Sequence, residues 1–582
     1  MQTLTDVHQQ FAGFFRSEAL RPYAYLVSRK LAEGHICLDL GEAEEELADE
    51  TILLNPSALK KNPWVTTDQH IKKAFVLHAN RLYLQRYFSY ETDILERIKS
   101  FITTNPGFNP EILKVQSKLI GSLFPNAGKD DWQKIAAISA VLNNLTIITG
   151  GPGTGKTTTV AKILAILYAI NPDLKVALVA PTGKAAVRMA ESLRSATGKA
   201  SGGGTDKLGS LKPLTIHRLL GYKPDSPYFR HDKENPLAYD LVIADESSMI
   251  DAALFAKLMN AIGTHTRLIL LGDKNQLASV EAGSLFGDLC NSVPEKRVPL
   301  KIQEIIQPAE VAQSHLSSTT IEAGEHSLAN HIIELKQSYR FSADKGIGKF
   351  SRAIINNESA IIETFISAND HQELQIDTTY DEHLFEAFIK GYTEYINEPD
   401  IKSAIKKFNT LRVLCAIRSS DQGVHAVNKK VEKYLAQQKL IRTTTEFYEH
   451  RPIIITKNYY ELDLFNGDVG IIRKDAAGNL KAWFEDGSDG VKSIPPGFLA
   501  ESETVFAMTI HKSQGSEYDQ VLVMLPAREI PLLTAELLYT GVTRAKSKVL
   551  IQSAEDVLRS TAAKRVKRAS GITERLKEEN LL

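Results

Sequence analysis

"TIITGGPGTGKTTTV", residues 146–160, decides how this chain is read. An apolar run ends at Gly150, Gly151, Pro152, Gly153, Thr154 and Gly155, and Lys156, Thr157 and Thr158 follow at once. Glycines let backbone N–H groups approach a chain of phosphates, and the N-terminus of the helix behind them favours negative charge. Lys156 can reach β- and γ-phosphates and the Thr157 hydroxyl can ligate Mg²⁺, so strand, loop and helix in this order predict a nucleoside triphosphate site. Pumps, kinases, switches and motors all use such a cradle, and the residues around it must discriminate.

At 582 residues the chain exceeds a single core and suggests three or four domains. Its 43% hydrophobic and 24% charged residues are those of an ordinary globular protein. No apolar run reaches the ~18–20 residues of a membrane span, and the polar start "MQTLTDVHQQF" does not read as a signal peptide. Cys37, Cys290 and Cys415 are far apart, which fits reduced thiols in a cytoplasm and excludes a disulfide scaffold or a Cys-based zinc site. The net charge of −1 argues against a blanket polyanion coat but allows nucleic acid in a local groove. Charge is uneven: residues 39–50 carry seven acids and no base, while "KRVKR" at 564–568 is basic, and each reads most simply as a solvated face.

Residues 1–112 mix helical patterns with a strand expected at "RLYLQRYF" and contain no phosphate, metal or triad signature. A unit expected at 113–332 alternates strands and helices: "LTIIT", "KVALVA", "DLVIADE" and "RLILLGD" are its short apolar strands. The alternation implies a parallel sheet covered by helices on both faces. A second such unit is expected at 333–582, with strands at "RVLCAI", "VFAMTI", "QVLVMLP" and "KVLIQ" and no cradle of its own. A Gly-, Ser- and Lys-rich stretch at 197–212 reads as a small insertion, and residues 297–330 are polar and helical in texture. Between about 445 and 500 the apolar period becomes two, with an Asn-Gly hairpin signal in "LFNGDVGII", so a small β module is inserted in the second sheet.

"LVIADES" supplies the cradle's partner. Asp245 at a strand end can hold Mg²⁺ and Glu246 can orient or deprotonate an attacking water, which makes hydrolysis the expected reaction. A switch GTPase would want an Asn-Lys-x-Asp element, and "GDKNQ" lacks the final acid.

The series "APTGKAA" (180–186), "TIHRLLGY" (215–222), "LGDKNQLASVEAGSLFGDL" (271–289), "QSYRF" (337–341), "MTIHKSQGSEYD" (508–519) and "LYTGVTRAK" (538–546) follows in order. It resembles the superfamily 1 DNA helicases and, within them, the RecD family, the alpha subunits of the exodeoxyribonuclease V (RecBCD) complex. The resemblance is strong over roughly residues 131–560 and looser at "EGHICLDL" and "RLYLQRYF". It implies two RecA-like parallel-sheet motor domains, an N-terminal α/β or mostly helical docking domain, and an SH3-like β insertion. It implies ATP and Mg²⁺ as cofactors, with Gln133 reading adenine, Tyr339 stacking on it, Glu517 in the nucleotide site and Gln276 sensing the γ-phosphate. Arg340 and Arg544 match the two arginines that the second domain presents to that phosphate, where a guanidinium stabilises charge on the transferring phosphoryl.

For DNA, the family's contacts fall on Pro181, Thr182 and Lys184, on Thr215 and His217, and on Thr509, His511, Lys512 and Ser513. Small polar and basic residues suit backbone phosphates, which hold a strand without reading it. His217 and His511 could instead be buried structural residues. The resemblance further implies 5′→3′ travel on single-stranded DNA and a heterotrimer with beta (RecB) and gamma (RecC) subunits at double-strand ends. A translocase or structural subunit without independent unwinding, or a contributor to nuclease activity, remains the alternative; no acid-acid-lysine cluster outside the motor motifs favours the last.

Overall fold

The structure is a computed structural model that describes residues 6–46, 56–104, 111–125, 131–197, 205–223, 226–293, 302, 326–367, 372–486 and 490–582. The end of the acidic run, residues 198–204 of the 197–212 insertion and most of the polar 297–330 segment lie outside these residues.

Two parallel sheets carry the architecture. In the first, β5 (Leu145–Gly150), β6 (Val176–Ala180), β7 (Leu214–Thr215), β8 (Leu241–Ala244), β9 (Arg267–Gly272) and β10 (Ile332–Leu335) run in the order β10-β5-β9-β8-β6-β7. Leu145 and Ile147 face one apolar core and Ile148 faces another across the sheet. Helices cover both sides, which is why these strands read as continuous apolar runs. The expected boundary at 332/333 falls inside β10, which pairs parallel with β5 from Ile332↔Ile147 to Leu335↔Gly150.

The second sheet contains β11 (Leu374–Asp377) and β12 (Leu411–Cys415). The inserted module follows as β13 (Pro452–Ile455), β14 (Val469–Lys474), β15 (Leu480–Asp486), β16 (Gly490–Ile494) and β17 (Ser502–Thr504), antiparallel in the order β16-β15-β14-β13-β17. The chain then returns through β18 (Ala507–Thr509), β19 (Tyr518–Met524) and β20 (Ala545–Gln552), giving β11-β20-β19-β12-β18, all parallel. The Asn-Gly signal does not close a two-residue hairpin. Gly467, at φ +98°, lies in a turn where the Asp468 N–H donates to the Phe465 carbonyl, inside a longer β13–β14 loop.

At the N-terminus a small sheet, β1 (Leu38–Asp39), β2 (Val65–Thr66), β3 (Phe75–His78) and β4 (Arg81–Leu84), has the order β1-β4-β3-β2. "RLYLQRYF" is a strand only as far as Leu84; a helix, Gln85–Thr103, begins at once. Phe88, Ile94, Leu95, Ile98, Phe101 and Ile102 are buried on that helix, the spacing of one helical face. Ile94, Leu95, Ile98, Phe101 and Ile102 enter the first sheet's core beside Phe255 and Leu258. Arg97 donates to the carbonyls of Met259 (3.2 Å) and Ile262 (2.7 Å) at the end of helix Ala252–Ala261. Residues 12–82 bury a separate small core around Tyr23, Phe75 and Leu82, while helix Gln85–Thr103 joins the segment before residue 112 to the first sheet.

The chain end also departs from expectation. After helix Glu555–Ala563 the basic run first holds to its own unit, where Arg565 donates to the Ile355 carbonyl (2.9 Å), and then reaches the first unit, where Arg568 donates to the carbonyl of Glu281 (3.3 Å). Helix Ile572–Glu578 then packs Ile572 and Leu576 into the first sheet's core.

Candidate active site

The cradle follows β5 as expected. Gly153 and Gly155 have φ of +77° and +81°, and a Cβ there would strike the Arg340 side chain and the Gln133 amide. Both turns thus need glycine for conformation and for space. Lys156 Nζ donates to the carbonyl of Gly150 at 2.6 Å, holding the ammonium over the loop.

A cavity of about 280 Å³ opens there. Pro152 to Thr158 line one wall, Asp245, Glu246 and Gln276 another, and Arg340, Glu517 and Arg544 arrive from the second unit. Asp245 and Glu246 follow directly on β8. Glu246 adopts a left-handed φ of +51°, a conformation that costs ~1–3 kcal/mol and concentrates at functional sites. Burial and the neighbouring Glu246 charge push the Asp245 carboxyl up to about 6, against the pull of Lys156 and the Glu246 N–H. Thr157 and Asp245 offer oxygen ligands on one cavity, a donor set suited to Mg²⁺. Among the described residues no cluster of three or more His, Cys, Asp or Glu could hold a metal by itself.

Arg340 lies on a segment bonded directly to the cradle: the Tyr339 N–H donates to the Gly153 carbonyl (2.8 Å) and Ser338 Oγ to that of Pro152 (3.1 Å). Burial, then the charges of Arg188 and Arg544, bring the Arg340 guanidinium down to about 10. Its Nη1 is buried with no hydrogen-bond partner among the described residues, which an anionic phosphate would satisfy. Arg544, 3% exposed, donates Nε to the Thr540 carbonyl (3.1 Å) and Nη1 to that of Ser516 (3.3 Å). Gln276 Nε2 donates to Asp273 (3.0 Å), and the Tyr539 hydroxyl donates to the same carboxylate (3.1 Å). Gln133 sits behind the cradle with Nε2 donating to the Thr154 carbonyl (3.1 Å), while the Tyr339 ring is 66% exposed beside it.

The residues expected to meet DNA come from both units, and the loops that carry them approach each other. Thr215 pairs in register with Ala180, next to Pro181. Thr182 and Thr215 each cap a helix, accepting from the N–H groups of Ala185 (3.2 Å) and Arg218 (3.3 Å). From the second unit, Thr509 accepts from the Lys512 N–H (3.2 Å), and Lys512 Nζ pairs with Glu503 at 3.4 Å. Gly515, at φ +72°, packs on Ala185, bringing the two sets of residues together. His217 is exposed and edge-on to Phe229 (5.6 Å), and burial holds the partly exposed His511 ring below its ordinary pKa. Ser513 corrects the sequence reading. It is fully buried and its hydroxyl donates to the Ile510 carbonyl (2.7 Å), so in this structure it shapes the turn and presents no surface to a strand.

A family described as "AAA domain" matches residues 133–282, and one described as "UvrD-like helicase C-terminal domain" matches residues 504–551. The RecBCD enzyme subunit RecD of Mycobacterium tuberculosis is 35% identical over 561 residues, covering 94% of this chain and 89% of that protein. The subunit of the same name from Haemophilus influenzae is 34% identical over 543 residues, 86% of this chain and 80% of its own. This chain belongs to the RecD family. It is an ATP-dependent DNA helicase built on two RecA-like motor domains. The ATP-dependent RecD2 DNA helicase of Deinococcus radiodurans is 26% identical over 85% of this chain and 59% of its own length. A crystal structure of Bacteroides Pif1 bound to single-stranded DNA aligns at 16% identity and a TM-score of 0.40, covering 78% of this chain and 98% of that one.

Sequence reading passed over Asp273, Tyr539 and Arg188. Asp273 carried a faint signal, an acid at the end of an apolar strand. Tyr539 and Arg188 carried none, because each meets its partner, Asp273 and Glu517 respectively, only across the two units.

Proposed function

We propose that this chain moves 5′→3′ along single-stranded DNA, as the alpha subunit of a cytoplasmic complex with RecB- and RecC-type subunits that processes double-strand ends for recombinational repair. The observation that carries the motor reading is the cavity itself: Lys156, Asp245, Glu246 and Gln276 from the first sheet face Arg340 and Arg544 from the second. Hydrolysis then requires the two sheets to be together, and release of products lets them separate. Opening one base-pair step costs ~1–2 kcal/mol of stacking, within reach of one such cycle.

In this reading Thr157 and Asp245 hold Mg²⁺, which neutralises phosphate charge when bound, while Glu246 orients or deprotonates the attacking water. Gln133 and Tyr339 select and stack on adenine, and Glu517 orders the arginines beside the phosphates. Pro181, Thr182, Lys184, Thr215, His217, Thr509, His511 and Lys512 hold the strand by its phosphates. The antiparallel module at 452–504 is the candidate for the SH3-like insertion that accompanies 5′→3′ travel. The N-terminal unit is the candidate docking surface for the gamma-type subunit.

Unwinding of duplexes bearing 5′ or 3′ single-stranded tails, with ATP hydrolysis followed in the same reactions, tests this. DNA-stimulated turnover with unwinding from 5′ tails is expected. Turnover with unwinding only from 3′ tails would reverse the polarity, and no DNA-stimulated turnover would remove the motor.

A further inference from the structure

We propose that Arg188 is a positioning residue that sets Arg340 through the carboxylate of Glu517, and so ties the helix that begins beside Pro181-Thr182 to ATP hydrolysis. The proposal rests on the ATP-hydrolysing reading of the cavity and adds to it a residue that the motifs leave unassigned.

Arg188 lies on helix Gly183–Thr197. Lys184, on the first turn of that helix, is one of the expected DNA contacts, and Arg188 stands four residues on, on the same face. One turn of a single rigid element thus separates the DNA face from the nucleotide cavity, which Arg188 lines. The helix also meets the second unit there, where Gly515 packs on Ala185, two residues before Glu517.

Glu517 makes the connection. Its Oε1 accepts from Nη2 of Arg340 and is ion-paired with Nη2 of Arg188. One carboxylate oxygen therefore holds a guanidinium from each motor domain. Charge-assisted pairs of this kind are the strong ones, so neither arginine can move without changing what Glu517 offers the other. The surroundings sharpen this competition. Four cations, Lys156, Arg188, Arg340 and Arg544, line the cavity against three carboxylates, Asp245, Glu246 and Glu517. Arg188 also feels the charges of Glu246 and Asp245, which draw it toward the hydrolytic acids.

Without Arg188, Glu517 is left to Arg340 alone and binds it more firmly. Arg340 is then harder to recruit to a transferring phosphoryl group, whose charge is what it stabilises. The loss falls on the transition state and spares ground-state nucleotide binding. A shift of the helix caused by a bound strand passes to Arg340 by the same route.

The test uses the full chain and oligo(dT), measuring kcat and KM for ATP at saturating DNA. Arg188→Gln should lower kcat ~10-fold or more with KM for ATP within about 2-fold, since each tenfold in rate is ~1.4 kcal/mol of transition-state stabilisation. Arg188→Lys keeps the charge and should recover kcat to within about 3-fold of wild type. The double variant Arg188→Gln/Glu517→Gln should be no slower than the slower single variant, because both changes act on one link. Unchanged kcat in Arg188→Gln, an effect on KM alone, or multiplicative losses in the double variant would each overturn the proposal while leaving the motor reading intact. A wild-type chain without DNA-stimulated turnover would overturn both.

Discussion

The side-chain amide of Gln514 donates to the carbonyl oxygen of Leu277 at 2.8 Å, joining the second sheet to the first one residue away from Gln276. The N–H of Leu277 is held from the same side, by the Thr540 hydroxyl at 2.9 Å. Both backbone groups of Leu277 are thus satisfied by the other domain, and Gln276 follows movement of the second sheet. Thr540→Val keeps the shape and leaves the buried Leu277 N–H unpaired, at a cost of ~1–3 kcal/mol. Lower DNA-stimulated kcat, unchanged KM for ATP and a lower melting temperature are expected. A variant with wild-type kcat would separate this contact from the cycle.

Lys156→Ala should abolish hydrolysis and leave the fold intact. Lys156 is half-buried over the cradle carbonyls and belongs to no apolar core, so its removal opens no cavity. Turnover assays and thermal unfolding on the same preparation check both halves; turnover near wild type would remove the cradle from the chemistry.

Asp245 makes a prediction about pH. Its folded-state pKa, about 6, lies above the ordinary 3.8, so the native chain binds this proton more tightly than the unfolded chain does. Stability contributed by the protonated form is therefore present at low pH and lost as pH rises from about 4 to about 6. Asp245→Asn removes that titration, and its Oδ1 can still accept from the Glu246 N–H, bonded at 2.8 Å in the native chain. With EDTA present and nucleotide absent, the variant should melt higher than wild type at pH 7.5, by a margin that shrinks toward pH 5. It should hydrolyse no ATP at either pH. A variant that melts lower than wild type at pH 7.5 would show that the ionised carboxylate stabilises the fold.

These contacts mark how far the sequence could be read. The cradle, Asp245, Glu246, Gln276, Arg340 and Arg544 were legible because each sits at a fixed place in a short motif, and the four apolar strands from "LTIIT" to "RLILLGD" were legible because helices bury both their faces. β10 was not legible: "IIEL" is too short to separate from the polar text around it. Helix Gln85–Thr103 was masked by the strand "RLYL" running into it without a break. The return of helix Ile572–Glu578 to the first sheet depends on pairings nearly 500 residues apart, such as Arg575 with Glu91, which no local pattern announces.

The inserted module reaches the first domain through Phe465. A Cβ on Gly183 would lie 3.1 Å from Phe465, and the Arg218 guanidinium stacks 4.7 Å from the ring centroid. The Arg218–Asp463 pair at 3.6 Å is exposed and adds little. Phe465→Ala should therefore release the module from the turn holding Thr182 and Lys184. Weaker coupling of ATP turnover to unwinding is expected, with KM for ATP unchanged. Asp463→Ala should leave both near wild type. Undiminished unwinding in Phe465→Ala would make this contact incidental.

The N-terminal unit, expected from sequence as a docking domain, is tied to the C-terminal segment of the chain through Glu91. Its carboxylate is fully buried and accepts from the Gly571 N–H (2.8 Å) and from Arg575 Nη1 (3.2 Å). Arg575 is itself buried, donates to Thr92 (2.8 Å) and lies 4.4 Å from the Phe88 ring centroid. Removing one member of such a pair leaves an uncompensated buried charge, which costs roughly 3–5 kcal/mol. Glu91→Ala should lower the unfolding free energy by about that much, and Glu91→Ala/Arg575→Ala should cost clearly less than the sum of the single changes. The same geometry decides truncation. A chain starting near residue 112 loses helix Gln85–Thr103, uncovers Phe255 and Leu258, and strands Arg575, so it should be insoluble or inactive by itself. Chemical denaturation of the Glu91 variants and expression of the truncated chain test the two consequences separately. A soluble truncated chain with DNA-stimulated turnover would show that the first motor domain holds together without this helix, and would return the N-terminal unit to docking alone.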